Sequence, residues 1–395
     1  MFPKTRKEWI EKLLSFDTTS RNSNLSIVEF LKKYLDSLNV ETTLVYNQPK
    51  TKANMFVTFR AADGYDKGGI ILSGHLDTVP VEGQKWDTDP FKATEKDGKI
   101  YGRGSCDMKG FIAQCMYLAP VFVKMAKRKP IHFAWTYDEE IGCLGGRVLT
   151  AFLKANKVTA DGCIIGEPTS NKIVVAHKGI HVYQVTIIGK TCHSAMALTP
   201  KGCNAIDYAA KLIVKIREIA ESLSVGEQDT LFDVPFTTMS TNIIHGGTAL
   251  NIVPGECHFT YEFRNLPTAA KETIQEKIQT YVDETLLPTM QKEYSDAQIK
   301  FNNTASVPGL PEVEDSDPFL TMVRTLHTDY SKKKVAFAAE GGQYAGIGIP
   351  TVLYGPGSIY VAHQANEFVH IDELDACEAF LLNVIKRNQD LPSKI

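Results

Sequence analysis

Apolar residues recur at helical spacing near the start of the chain. Ile27, Phe30, Leu31, Tyr34, Leu35 and Leu38 predict an amphipathic helix over 25–38, with Asn24 placed to cap it, after a first helix over 5–16. Short apolar runs predict strands near 54–60 and 69–74. A helix is predicted from Met108 towards Met125, its apolar side formed by Phe111, Cys115, Leu118 and Phe122 and its axis open to bending at Pro120. Strands at 130–137 and 161–165 follow, with a helix near 146–155 between them. This alternation predicts an α/β domain, a mixed and largely parallel sheet sandwiched by helices.

The pattern then changes. HVYQVTIIG (181–189) alternates as a half-buried strand, and a helix over 204–222 carries Ile206, Ala209, Ile213, Ile216 and Ala220 on one side. Strands near 239–245 and 256–264 precede a helix that starts near 269 and carries Ile274, Ile278 and Val282, and a last strand is predicted at 297–302. The β-α-β-β-α-β order is that of a ferredoxin-like α+β unit. Residues 303–318, rich in proline, serine and acids, are predicted to be a linker. The expected organisation is a first part of the larger domain over 1–180, an inserted domain over 181–308, and a second part over 309–395.

Against this frame, five side chains stand just past apolar runs or in glycine-rich turns. They are His75 after GGIILSG, Asp107 in YGRGSCDMKG, Glu140 after HFAWTYDE, Glu167 after GCIIG, and His363 in GPGSIYVAH. Ligands of open α/β sheets bind at the carboxyl ends of strands. Two imidazoles and three carboxylates suit zinc or a neighbouring first-row metal. Five ligands exceed what one tetrahedral ion takes, which points to two ions sharing a bridging carboxylate, an arrangement that supports hydrolysis.

Each position also has a plainer explanation. His75 and Asp77 could pair for structure at a strand end; alternatively Asp77 accepts the second ring N–H of a ligating His75. Asp107 is suited to capping the helix after it or to bridging two ions between flanking glycines. In YDEEIG, adjacent Glu139 and Glu140 point apart in extended chain, so one can bind metal while the other serves as general base; we assign Glu139 as base and Glu140 as ligand. The alternative is a solvated acidic turn, a description that also fits Asp138. Cys106 could be a soft ligand, or a small residue filling space below the site. His132 and His258 sit inside predicted strands and are expected to be structural.

Composition narrows the classes. The chain has 395 residues, 43% hydrophobic and 23% charged, with formal net charge −3. That is an ordinary globular balance without the basic footprint of a nucleic-acid binder. No run has the apolar length of a membrane helix, and MFPKTRKEWIEKLLSF lacks a signal core, so a cytoplasmic location is expected. The eight cysteines form no C-x-x-C pair, consistent with a reducing compartment.

The motifs SGHLDTVP, GRGSCDMKG, YDEEIG, GEPTS, GKTCHSAM, TALNIVPGECHFTYEFR and GPGSIYVAHQANEF occur in this order over nearly the whole chain. In them the sequence resembles the di-zinc metallopeptidase family that contains acetylornithine deacetylase, succinyl-diaminopimelate desuccinylase, aminoacylase and glutamate carboxypeptidase. The resemblance implies a zinc-exopeptidase-like fold with an inserted lid and dimerisation domain, and hence a homodimer. It implies that Asp107 bridges two Zn²⁺ ions, which Co²⁺ or Mn²⁺ can replace. One ion would take His75 and Glu167, the other Glu140 and His363, with Glu139 as acid/base and Asp77 behind His75. It further implies that His193 in GKTCHSA stabilises the oxyanion, within its own chain or across a dimer, and that Asn251 and Arg264 contact substrate. Without the resemblance, His193 would read as an exposed loop residue and Arg264 equally as a strand-end ion pair.

Within the family, AAEGGQYAG (338–346) and GPGSIYVAHQANEFV (355–369) most resemble the acetylornithine deacetylase branch. This implies a small N-acyl amino acid substrate, N2-acetyl-L-ornithine, converted to L-ornithine and acetate. Gly357 and Ser358 would cradle the substrate carboxylate, and Glu340 would face the δ-ammonium unless it is an exposed loop residue. A different N-acyl amino acid or a dipeptide is the alternative substrate, and an inactive scaffold homologue the alternative of another class.

Overall fold

A computed structural model describes residues 2–125, 128–328 and 330–390. The chain forms two compact units. One comprises Met1–Ala176, Leu310–Lys333 and Ala339–Ile395, the other His177–Gly309 with Lys334–Ala338.

The first unit is built on a mixed sheet. Its four central strands, Ile131–Thr136, Ile70–His75, Gly162–Ile165 and Thr351–Leu353, lie side by side in that order and run parallel. Thr42–Tyr46 and Ala53–Phe59 extend it antiparallel on one side, and Val174–His177 on the other. All six residues of Ile70–His75, and all six of Ile131–Thr136, are buried. Burial without alternation means that both faces of the sheet are covered, which is why these runs are largely apolar and their polar members, Ser73, His75, His132 and Thr136, are buried too. Two glycines admit that cover. A Cβ on Gly162 would lie 2.1 Å from the Phe319 ring, and one on Gly166 2.1 Å from Phe111. Phe111 belongs to the helix Lys109–Lys124 and Phe319 to Pro318–His327.

The helices near 6–14, 25–37, 109–124 and 144–155 fall where the periodicity predicts. Asn24 does not cap its helix. Its amide is instead used against the backbone of Ala53, accepting from the Ala53 N–H and donating to the Ala53 carbonyl, both at 2.9 Å. His132 is structural, as expected: Nδ1 meets the Thr58 hydroxyl at 3.0 Å and Nε2 the Gly68 carbonyl at 3.1 Å. Burial pushes its pKa down to about 4, so the ring is neutral.

The second unit is a four-stranded antiparallel sheet in the order Thr238–Gly246, Glu256–Arg264, Ile180–Ile188, Gln298–Val307. With the helices Ala205–Ser224 and Lys271–Tyr281 between its strands, this is the ferredoxin-like arrangement. Asn204 caps the longer helix, accepting from Ile206 N at 3.0 Å and Asp207 N at 3.3 Å. The last strand runs on to Val307, through residues expected to be linker. A register irregularity falls between Asn303 and Ala305, after which the strand goes on pairing as far as Val307, its one buried residue.

Candidate metal centre

The four parallel strands all discharge into one place. Ile70–His75 ends on His75, Ile131–Thr136 leads into Asp138–Glu140, Gly162–Ile165 into Glu167, and Thr351–Leu353 into the loop that reaches His363. Asp107 enters from the turn before the helix Lys109–Lys124; it does not cap that helix, whose first flanking residue is Met108.

The five residues assemble as two trios that share Asp107. Ligand atoms of His75, Asp107 and Glu167 lie within 4.8 Å of one another, as do those of Asp107, Glu140 and His363. His75 Nε2 is 3.0 Å from Asp107 Oδ1, and His363 Nε2 is 3.2 Å from Asp107 Oδ2 and 2.9 Å from Glu140 Oε2. Each oxygen of Asp107 therefore faces a different imidazole.

The charges in the cluster shift one another strongly. Burial raises the carboxyls of Glu167 and Glu139 well above the usual range, and the charge of Asp107 adds to the effect at Glu167. Burial and Asp107 push Glu140 up to about 7. Hydrogen bonds to Asp107 and Glu140 push His363 up to about 11. Burial opposes charge on His75, but Asp107 and Asp77 outweigh it and hold the ring well above its ordinary value. At Asp107 burial likewise loses to the two imidazoles, which keep the carboxyl well below the usual range. Two imidazoles thus stand with four carboxyls, and Glu140 Oε1 and Glu167 Oε1 are buried without a hydrogen-bond partner among the described residues. Orphaned carboxylate oxygens beside neutral-capable imidazoles are a donor set that fits divalent cations.

Asp77 is placed differently from expectation. His75 Nδ1 donates to the Asp77 backbone carbonyl at 3.0 Å, and the Asp77 carboxylate is 3.6 Å away from that nitrogen. The carboxylate instead accepts the backbone N–H groups of Glu139 at 3.1 Å and Glu140 at 3.3 Å. So one residue fixes the ring of His75 through its backbone and the turn at 139–140 through its side chain. Glu139 Oε1 receives the thiol of Cys143 at 3.3 Å. Cys106 stands outside both trios; its Sγ lies 3.4 Å from the Ser358 carbonyl, and a Cβ on Gly357 would come within 2.5 Å of it. Gly357 has φ +87°, so both its conformation and this approach require glycine.

Glu340 corrects the sequence reading. It is 1% exposed, with Oε2 accepting the Thr136 hydroxyl at 3.0 Å, and burial pushes its pKa up to about 7. It is neither an exposed loop residue nor open to an incoming ammonium; it packs behind the strand end that leads to Glu139. The Ser358 hydroxyl accepts the Tyr360 N–H at 3.4 Å. His193, Asn251 and Arg264 belong to the second unit. His193 is exposed, with Nδ1 accepting from Ala195 N at 3.1 Å, and the Asn251 carbonyl accepts the neighbouring Ser194 N–H at 2.9 Å. Arg264 Nε donates to Glu262 at 3.2 Å.

Two functional-site residues escaped the sequence reading, although both lie inside quoted motifs. Arg103 and Glu367 form an ion pair at 2.6 Å, each side chain 1% exposed. Glu367 Oε1 accepts the N–H groups of Cys106 and Asp107, at 2.9 and 3.0 Å. Arg103 also donates to Gln84 at 2.6 Å, and Gln84 donates to the His363 carbonyl at 2.7 Å. This network sets the backbone of Asp107 and His363 together. A charged residue within each glycine-rich or turn motif was the available signal.

Comparison with known proteins agrees with this architecture. The sequence pattern of peptidase family M20/M25/M40 matches residues 71–387. The chain is 31% identical over 380 residues to an acetylornithine deacetylase of Myxococcus xanthus, covering 95% of each. It is 32% identical over 372 residues to one of Pasteurella multocida (strain Pm70), covering 94% of this chain and 93% of the relative. Among solved structures, an M20 family metallo-carboxypeptidase of Sulfolobus solfataricus superposes with TM-score 0.75 at 18% identity, over 98% of this chain and 100% of that one. A tripeptidase of Staphylococcus aureus does so with TM-score 0.72 at 22% identity, over 98% of each.

Proposed function

This chain belongs to peptidase family M20/M25/M40 and is a hydrolase of linear amides; on that premise we propose that it removes the acetyl group of N2-acetyl-L-ornithine, giving L-ornithine and acetate. The observation that carries the metal part of the reading is the sharing of Asp107 between two ligand trios. The deacetylase relatives support the substrate.

In this reading His75, Asp107 and Glu167 would hold one divalent cation, and Asp107, Glu140 and His363 the other, with zinc the expected metal. When bound, such a pair polarises an amide carbonyl and makes water nucleophilic near neutral pH. The chain's own residues do the rest. Asp107 turns one oxygen to each trio, Oδ1 toward His75 and Oδ2 toward His363, and so would serve both cations. His75 is held in one ring orientation by the Asp77 carbonyl, and Glu140 in one backbone position by the Asp77 carboxylate. Glu139, the carboxyl in this cluster outside both trios, is placed to take a proton and return it to the leaving amine. Its buried, acid-crowded setting favours the protonated form that the second half of this task needs.

Gly357 and Ser358 are proposed to meet the substrate carboxylate, and His193, Asn251 and Arg264 to serve substrate binding and oxyanion stabilisation. A cytoplasmic homodimer is part of the same reading. It is supported by eight free cysteines and by the edge strand Thr238–Gly246, where Ile243 and Ile244 are 52% and 50% exposed. A solution mass of one chain would contradict the dimer. Among the described residues no helix is long and apolar enough to cross a membrane.

The substrate is tested by amine release from N2-acetyl-L-ornithine, N-succinyl-diaminopimelate, N-acetyl-L-methionine and a dipeptide, with added Zn²⁺ or Co²⁺. The expected result is the highest kcat/KM on N2-acetyl-L-ornithine. A higher value on another member of the panel replaces the substrate and leaves the chemistry standing.

A further inference from the structure

The turn that presents Glu139 and Glu140 is closed from behind by a ring of polar groups, of which the mechanism above uses only Asp77. Its start is the segment 16–20, which follows the first helix. Thr18 Oγ1 donates to the Leu76 carbonyl at 2.5 Å, and Ser20 N donates to the Thr78 carbonyl at 3.1 Å. These bonds lay the segment along 76–78, next to Asp77. Ser20 Oγ then donates to Asp77 Oδ2 at 2.7 Å, the same carboxylate that accepts the N–H groups of Glu139 and Glu140.

Lys52 completes the circuit. Its ammonium donates both to the Ser20 carbonyl and to Asp138 Oδ1. The Lys52 and Asp138 side chains are 11% and 9% exposed, so the pair is largely withdrawn from water. Asp138 sits at φ +53°, in the left-handed region that an aspartate enters at some cost. Its conformation decides the direction in which the next two residues leave the strand. The circuit therefore runs Lys52, Asp138, the backbone of 139–140, Asp77, Ser20, and back to Lys52.

We propose that Lys52 and Ser20 are positioning residues of the reaction, fixing the aim of Glu139 and Glu140 through Asp138 and Asp77 and touching neither substrate nor metal. The inference rests on the roles proposed above for Glu139 and Glu140. A buried lysine used only for stability would be replaceable at a cost in folding alone. A positioning lysine leaves its mark on kcat, because a misaimed carboxyl loses proton transfer while the substrate pocket stays intact.

The test is steady-state kinetics of Lys52→Met, Lys52→Arg and Ser20→Ala with saturating Zn²⁺, on the best substrate of the panel and well below each variant's Tm. Lys52→Met is expected to lower kcat roughly 10–100-fold with KM nearly unchanged, as removal of groups behind a ligand does. Lys52→Arg, which keeps the charge and two donors, is expected to recover most of the loss. Ser20→Ala, which deletes one hydroxyl, is expected to lower kcat in the same direction and gives the reading if Lys52→Met does not fold. Wild-type kcat in Ser20→Ala and in any folded Lys52→Met, or a loss that Arg does not repair, would overturn the proposal. Glu139→Gln run alongside separates the two levels. An inactive Glu139→Gln with a fully active Lys52→Met removes only the ring, whereas an active Glu139→Gln removes the reading on which it rests.

Discussion

Glu139→Gln is expected to lower kcat by about 10²–10⁴-fold, the range spanned by general acid–base catalysis, while metal content and KM stay close to wild type. Gln has the shape of Glu and keeps an oxygen for the Cys143 thiol, which lies 3.3 Å from Glu139 Oε1. Its backbone N–H still reaches Asp77. What is lost is the ability to accept a proton and hand it on. Neither trio includes Glu139, so the ligand set is untouched. Kinetics and metal analysis on the same preparation check the prediction. Loss of metal together with activity would instead make Glu139 a ligand, and near-normal kcat would remove it from the chemistry.

Asp107→Asn is expected to act at both metal positions at once. Both carboxylate oxygens are in use, one 3.0 Å from His75 Nε2 and the other 3.2 Å from His363 Nε2. An amide replaces one of these oxygens by an N–H donor, which cannot ligate, and removes the only carboxylate common to the two trios. Removing groups that merely orient ligands typically costs about 10–100-fold in affinity or activity, so a loss beyond about 100-fold is expected here. Metal content should fall below two ions per chain. Glu367 still holds the N–H groups of residues 106 and 107, so the loop keeps its place and the loss is one of charge and coordination. Retention of two ions and of turnover would show that Asp107 does not bridge.

Much of the centre was legible in the sequence because the fold enforces a local rule. His75, Glu140 and Glu167 each follow a largely apolar run that becomes a parallel strand, and chain direction alone brings such ends together. The ferredoxin-like unit was legible for a similar reason, since period-2 and period-3.6 segments alternate cleanly from 181 to 302. What local pattern does not encode is long-range polar pairing. Arg103 and Glu367 are 264 residues apart, and nothing around either names the other. Asn24 looked like a cap by its neighbours, yet Ala53 supplied better partners from another element. The glycine-rich surroundings of Glu340 left an exposed loop residue and a substrate contact both open; what buries it comes from another element, where a Cβ on Gly146 would lie 2.4 Å from its Oε1. The polar run at 303–307 looked like linker because an exposed edge strand needs few apolar residues.

Two cations held by five side chains are the centre of the proposed chemistry, and a metal titration tests them most directly. Protein stripped with chelator is titrated with Zn²⁺ while bound metal and amine release from N2-acetyl-L-ornithine, or the panel's best substrate, are followed together. The expected result is no turnover in the stripped protein and activity that rises with bound metal and levels off at two ions per chain. Full turnover in chelator, or saturation of binding without two sites, would contradict it.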